Sequence, residues 1–214
     1  MALIKTEVEI EKIRTSSLLV GKTIAEVARH IKPGVTTIAL DKIAEEFIRD
    51  HKAKPAFKGY HGFPATLCIS VNEVVVHGIP GKRELKEGDL ISIDCGTIID
   101  GYYGDSAFSF GIVPVPIELE LLMKRTHDSL LKAIGILSAG KRVGDIGYEV
   151  QTYVESFGYT VVRDLVGHGL GTSLHEKPEV PNYGRRGTGA KLEQGMVICI
   201  EPMINLGSRQ VTQE

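Results

Sequence analysis

One stretch of this chain is written twice. Leu85-Lys86-Glu87-Gly88-Asp89-Leu90-Ile91-Ser92-Ile93-Asp94 aligns with Leu192-Glu193-Gln194-Gly195-Met196-Val197-Ile198-Cys199-Ile200-Glu201 at a constant offset of 107 residues, and both copies end in a carboxylate. At an offset of 106, Gly34, Leu40, Ala44, Phe47 and Ile48 fall on Gly140, Ile146, Val150, Tyr153 and Val154. Helical spacing followed by a glycine turn and an apolar strand therefore occurs twice, as an internal repeat requires. Coincidence between two buried strands is the simpler alternative, but one offset serves ten consecutive positions. The expectation is an α+β fold of two pseudo-symmetric halves, about 1–110 and 111–214. No Pro/Ser-rich linker separates them, so they read as a single domain.

The elements follow from local signals. Thr6 with Glu9 makes a capping-box pattern, and Val20, Ile24, Val27, Ala28 and Ile31 continue at helical spacing until Lys32-Pro33-Gly34. After Thr36 and Thr37, Leu40, Ile43, Ala44, Phe47 and Ile48 form the stripe of a second helix. Strands are expected over 66–76, 90–94 and 102–113, then helices over 116–137 and around Ile146 to Phe157, then strands near 160–166 and 196–200.

Composition excludes several classes. With 25 Lys and Arg against 27 Asp and Glu, there is no basic excess to neutralise a phosphate backbone, so no direct nucleic-acid binding is expected. No apolar run reaches the roughly 18 residues of a spanning helix, and the charged start lacks a signal peptide's apolar stretch. A cytoplasmic protein without a membrane partner is expected. Cys68, Cys95 and Cys199 are an odd number in apolar settings and read as reduced core thiols. Gly-x-Ser-x-Gly, a Walker loop and a dinucleotide glycine fingerprint are all absent.

What remains is a set of acids and imidazoles. Asp94 and Glu201 end apolar strands, where an unpaired carboxylate costs several kcal/mol, so something positive must face them. An Arg or Lys partner, a backbone cap and a metal ion all meet that need. Asp105 follows Asp94 across the turn region 101–104, His168 sits in Gly167-His168-Gly169-Leu170-Gly171, and His175 comes soon after. Carboxylates with imidazole suit Mn, Fe, Co or Zn, and several carboxylates in one place favour two cations and metal-assisted hydrolysis. His77, after Val74-Val75-Val76, reads as a strand-end histidine satisfied by backbone; His30, His51 and His127 read as surface residues.

These residues stand in runs that resemble bacterial type I methionine aminopeptidases. The runs are Asn72-Glu73-Val74-Val75-Val76-His77-Gly78-Ile79-Pro80, Asp94-Cys95-Gly96, Tyr103-Gly104-Asp105-Ser106-Ala107, Gly167-His168-Gly169-Leu170-Gly171, His175-Glu176-Lys177-Pro178 and Ile200-Glu201-Pro202-Met203. The resemblance covers nearly the whole chain. It implies the pita-bread fold, two α+β halves around a curved, mostly antiparallel central sheet. It implies Asp94, Asp105, His168 and Glu201 as ligands of two divalent ions, with Asp105 bridging. His175 would bond the substrate in the tetrahedral state, His77 would line the site near the new amine, and Glu201 would handle the proton of the attacking water. Tyr60, Phe63, Cys68 and Leu174 match the methionine pocket. The implied substrates are N-termini of nascent polypeptides and peptides with a small second residue, met near the ribosome.

One departure accompanies the resemblance. The family carries a further bridging glutamate in a Phe/Tyr-Glu-His context downstream of Glu201, and no such motif precedes Glu214. Glu214 is not assigned that role; the chain reads as C-terminally incomplete or as lacking a ligand. Two other functions compete: a non-catalytic pita-bread binding protein, and a prolidase or aminopeptidase P-like peptidase.

Overall fold

The computed structural model describes residues 4–212; Glu214 lies outside them. The chain divides into two compact units, Val8–Glu120 with Gly171–Leu174, and Met1–Glu7 with Leu121–Leu170 and His175–Glu214.

In the first unit, helices α1 (Glu7–Ala28) and α2 (Thr37–Asp50) precede strands β1 (Lys54–Pro55), β2 (Leu67–Val71), β3 (Leu90–Ile99) and β4 (Tyr102–Gly111). The stripe Ile13, Val20, Ile24 and Val27 buries one face of α1. Helix α2 starts where the Thr36 hydroxyl accepts from the Ala39 N–H at 3.3 Å. Strand β3 is central, antiparallel to β1 and β2 on one edge and to β4 on the other. Its Ile91, Ile93 and Cys95 are fully buried in the core with Leu40, Ala44 and Ile48 of α2, while Ser92 and Asp94 take the opposite face. Strands β3 and β4 join through Asp100 (φ 50°) and Gly101 (φ 79°), a two-residue turn with both central φ angles positive. Helix α1 docks on this hairpin closely. Ser16 and Thr97 exchange side-chain and main-chain bonds, and a Cβ on Gly104 would lie 2.5 Å from the Ser17 nitrogen.

The strand expected through Val76 stops at Val71. Asn72 turns the chain at φ 57°, its side-chain oxygen accepting from Leu90 N–H and its amide donating to Asp89, both at 2.9 Å. The valines that follow leave the sheet.

The second unit contains the larger part of α3 (Ile117–Gly135), then α4 (Val143–Glu155), β5 (Thr160–Val161), β6 (Gly167–Gly169), β7 (Glu176–Val180) and β8 (Ile204–Asn205). Ala133, Ile146, Val150, Val180 and Leu192 form its core. The strands expected over 160–166 and 196–200 are much reduced. The first keeps two residues; the second pairs with β6 only at a bridge between Gly169 and Ile198. On its other side β6 pairs β7 with a register irregularity between Gly167 and Gly169.

The repeat is present in the backbone. Gly34 N–H bonds the Leu85 carbonyl and Leu85 N–H the Val35 carbonyl at 2.8 and 2.9 Å; Gly140, Leu192 and Lys141 repeat the pattern at 3.0 and 2.7 Å. Gly88 and Gly195 turn at φ 83° and 89°. Among the described residues no helix is long and apolar enough to cross a membrane.

Candidate metal centre

In the first unit, strand register decides which side chains meet. Asp94 stands opposite Ala107 on β4 and Cys68 on β2, and Asp105 opposite Gly96. Opposed residues point to the same face, so Cys68, Asp94 and Asp105 share the face turned away from the core. Asp41 of α2 fixes the start of β2 by accepting from the N–H groups of Thr66 and Leu67 at 2.9 and 2.7 Å, although burial raises its carboxyl above the usual range. Burial, followed by the nearby Asp94 and Asp105 charges, pushes the Cys68 thiol far up; Cys95 is shifted the same way. Both are therefore held as neutral thiols. We expect Cys68 and Cys95 to escape iodoacetamide at about pH 8 in the folded protein and to react once guanidinium unfolds it. Peptide mass spectrometry reads both states; alkylation of Cys68 in the native chain would show that this face opens, and alkylation of Cys95 that the core does.

Of the other residues expected on substrate, Tyr60, Phe63, His77 and Leu174 lie in the same unit and His175 in the other. Leu174 and Cys68 are buried, while Tyr60 and Phe63, at the ends of a single 3-10 turn, are half-exposed. His77 is exposed at φ 60°. It follows an irregular segment instead of ending a strand, because Asn72 has already turned the chain. Gly78 then lies against β2, its carbonyl accepting from Ile69 N–H at 2.8 Å.

In the second unit, His168 is buried on β6 with Nδ1 2.9 Å from the Gly169 carbonyl. A carbonyl only accepts, so Nδ1 carries the proton, and in the neutral ring Nε2 presents its lone pair. Nε2 lies 3.1 Å from Oε1 of Glu201. That oxygen is buried and makes no hydrogen bond among the described residues, so the close pair is not aligned for one. Two acceptors this close repel unless a cation sits between them, and poor hydrogen-bond alignment favours a metal over a proton. A metal ion fits this donor pair. The exposed His175 ring stands edge to face with His168, centroids 4.3 Å apart.

Three supports escaped the sequence reading. Asn182, fully buried, donates to the Glu201 main-chain carbonyl at 2.7 Å and fixes the segment carrying that acid. Lys5 pairs with Glu176, both side chains 5% exposed, so the residue beside His175 is anchored by a buried ion pair. Cys199 is half-buried and pairs its N–H with the His168 carbonyl at 2.7 Å; Cys95 lies in the core and Cys68 is buried on the opposite face of the sheet, so the core assignment holds for Cys95 alone. Asn182 and Lys5 carry no local sequence signal. Cys199 carries one, since it precedes Glu201 by two residues and extended chain puts both on one face.

The chain has two α+β units, and the second holds a histidine and a carboxylate that a metal ion fits. The chain belongs to metallopeptidase family M24, whose model matches residues 11–212. It is 52% identical to the methionine aminopeptidase of Clostridium acetobutylicum over 212 residues, 99% of this chain and 85% of that protein. The crystal structure of methionine aminopeptidase from Thermotoga maritima matches with a TM-score of 0.98 at 42% identity, covering 100% of this chain and 86% of that one. The prolidase from Pyrococcus furiosus, with a TM-score of 0.82 at 23% identity over 94% of this chain and 57% of that one, shares the fold.

Proposed function

We propose that this chain is a methionine aminopeptidase that removes the initiator methionine from nascent proteins and from peptides with a small second residue. The observation that carries the reading is the His168–Glu201 pair, two acceptors 3.1 Å apart without a hydrogen bond on Oε1. Family membership supports it. In this reading Asp94, Asp105, His168 and Glu201 would hold two divalent ions, Co, Mn, Fe or Zn, and residues 1–214 act as one catalytic domain. When bound, such ions acidify a shared water and offset charge on the carbonyl under attack.

The chain's own residues supply the remaining steps. Glu201 receives the proton of the attacking water. His175 donates a hydrogen bond to the reacting amide as charge develops there. His77 lines the site near the new amine. Tyr60, Phe63, Cys68 and Leu174 line the methionine pocket, where a buried neutral thiol beside apolar groups suits an unbranched thioether. The substrate is a polypeptide N-terminus met in the cytoplasm near the ribosome.

The protein supplied with Co, Mn or Fe is expected to release methionine from Met-Ala-Ser peptides and to leave X-Pro bonds intact. Cleavage of X-Pro with Met-Ala-Ser untouched would make it a prolidase-like peptidase, and metal binding without turnover on either would make it a binding protein.

A further inference from the structure

We propose that Cys199 is a third donor beside His168 and Glu201, and that this trio holds soft or borderline divalent cations, Zn2+ and Cd2+, in preference to Mn2+. The inference rests on the reading of His168 and Glu201 as metal ligands and adds a thiol to them.

Backbone register carries it. The bridge between Gly169 and Ile198, with bonds from Leu170 N–H to the Val197 carbonyl at 3.1 Å and from Cys199 N–H to the His168 carbonyl at 2.7 Å, sets Cys199 directly opposite His168. Opposed side chains share a face, and Glu201, two residues along, returns to it. The Cys199 Sγ accordingly lies within 4.8 Å of a His168 ring nitrogen, and Glu201 Oε1 is 3.1 Å from Nε2. Zinc bound at about 2.3 Å from sulfur and about 2.0 Å from nitrogen places its donors roughly 3.5 Å apart, so binding would draw the Cys199 sulfur and the His168 nitrogen together from within 4.8 Å.

The donor chemistry sets the preference. Carboxylate and imidazole alone serve Mn as well as Zn, whereas a thiolate favours zinc and cadmium. Coordination releases the thiol proton to solvent. Cys68 and Cys95 are buried, and the Cys199→Ser variant separates the Cys199 thiol from them. A core cysteine with no ligand role predicts no sulfur contact to any bound ion.

Cd2+ alone is the probe, because sulfur bound to cadmium gives a near-ultraviolet charge-transfer band. Titration of the protein is expected to raise a band saturating at one thiolate per chain, absent in Cys199→Ser. Competition between Zn2+ and Mn2+ should lose on the order of tenfold of its zinc preference in that variant. Bound Cd2+ should also protect Cys199 from alkylation in the unsubstituted chain, a readout by peptide mass spectrometry that needs no variant. Cd2+ bound without the band or the protection overturns the thiol donor. The reading beneath it survives that result if His168→Ala and Glu201→Gln lose the ion, and falls with it if both retain the ion.

Discussion

Replacing His175 with alanine is expected to lower turnover by on the order of 10²-fold or more, with a smaller change in Michaelis constant and no loss of bound metal. The exposed ring touches His168 edge-on, while the buried Lys5–Glu176 pair holds the backbone next to it. In the proposed role, a donor there would strengthen its bond as charge develops on the substrate, which acts on the transition state more than on the ground state. His168→Ala is expected to fail differently. It removes the nitrogen facing Glu201 Oε1, so metal content falls and excess metal restores part of the activity. Titrating both variants with metal while following turnover and elemental content separates the roles. Rescue of His175→Ala by added metal, or loss of metal from it, would make His175 a ligand.

How much of this was readable in the sequence depends on how local each cause is. The start of α2 was legible because Thr36 caps a helix from within the same few residues. The hairpin bringing Asp105 beside Asp94 was legible because a glycine-containing turn separates two runs of strand spacing. The repeat was legible because each copy needs the same glycine turn, at Gly88 and at Gly195. Val74 to Val76 misled, since strand propensity there loses to the bonds that Asn72 makes with Leu90 and Asp89, 18 and 17 residues away in sequence. The segment 196–200 also has strand-like residues, but it pairs with a three-residue strand and forms only one bridge with it. Site residues divide in the same way. Acids and histidines stand out by type in an apolar run, whereas Cys199 acquires meaning only once register sets it opposite His168, and Asn182 only once the fold brings it 2.7 Å from the Glu201 carbonyl.

Gly167→Ala should be strongly damaging although it adds a single methyl beside His168. A Cβ there would lie 2.3 Å from the Cys199 carbonyl oxygen and 3.3 Å from that of Val180, so backbone crowds the position from both neighbouring segments. Neither oxygen belongs to a side chain that can swing away. The segment carrying Cys199 is tied to β6 through His168, and β7 is tied to it through the Gly167–Val180 pairing. Relief therefore requires a backbone shift, expected to cost about 3 kcal/mol or more. The same shift would move His168 away from Glu201 and lower metal content. Gly135→Ala supplies the contrast: nothing lies within 4 Å of its Cβ position at the end of α3, and the change is expected to be neutral or to stabilise by up to about 1 kcal/mol. Guanidinium unfolding midpoints with elemental analysis test both variants. If Gly167→Ala unfolded at the midpoint of the unsubstituted chain with its metal intact, the 197–199 segment could yield without cost, and close backbone approach would not be what holds His168 against Glu201.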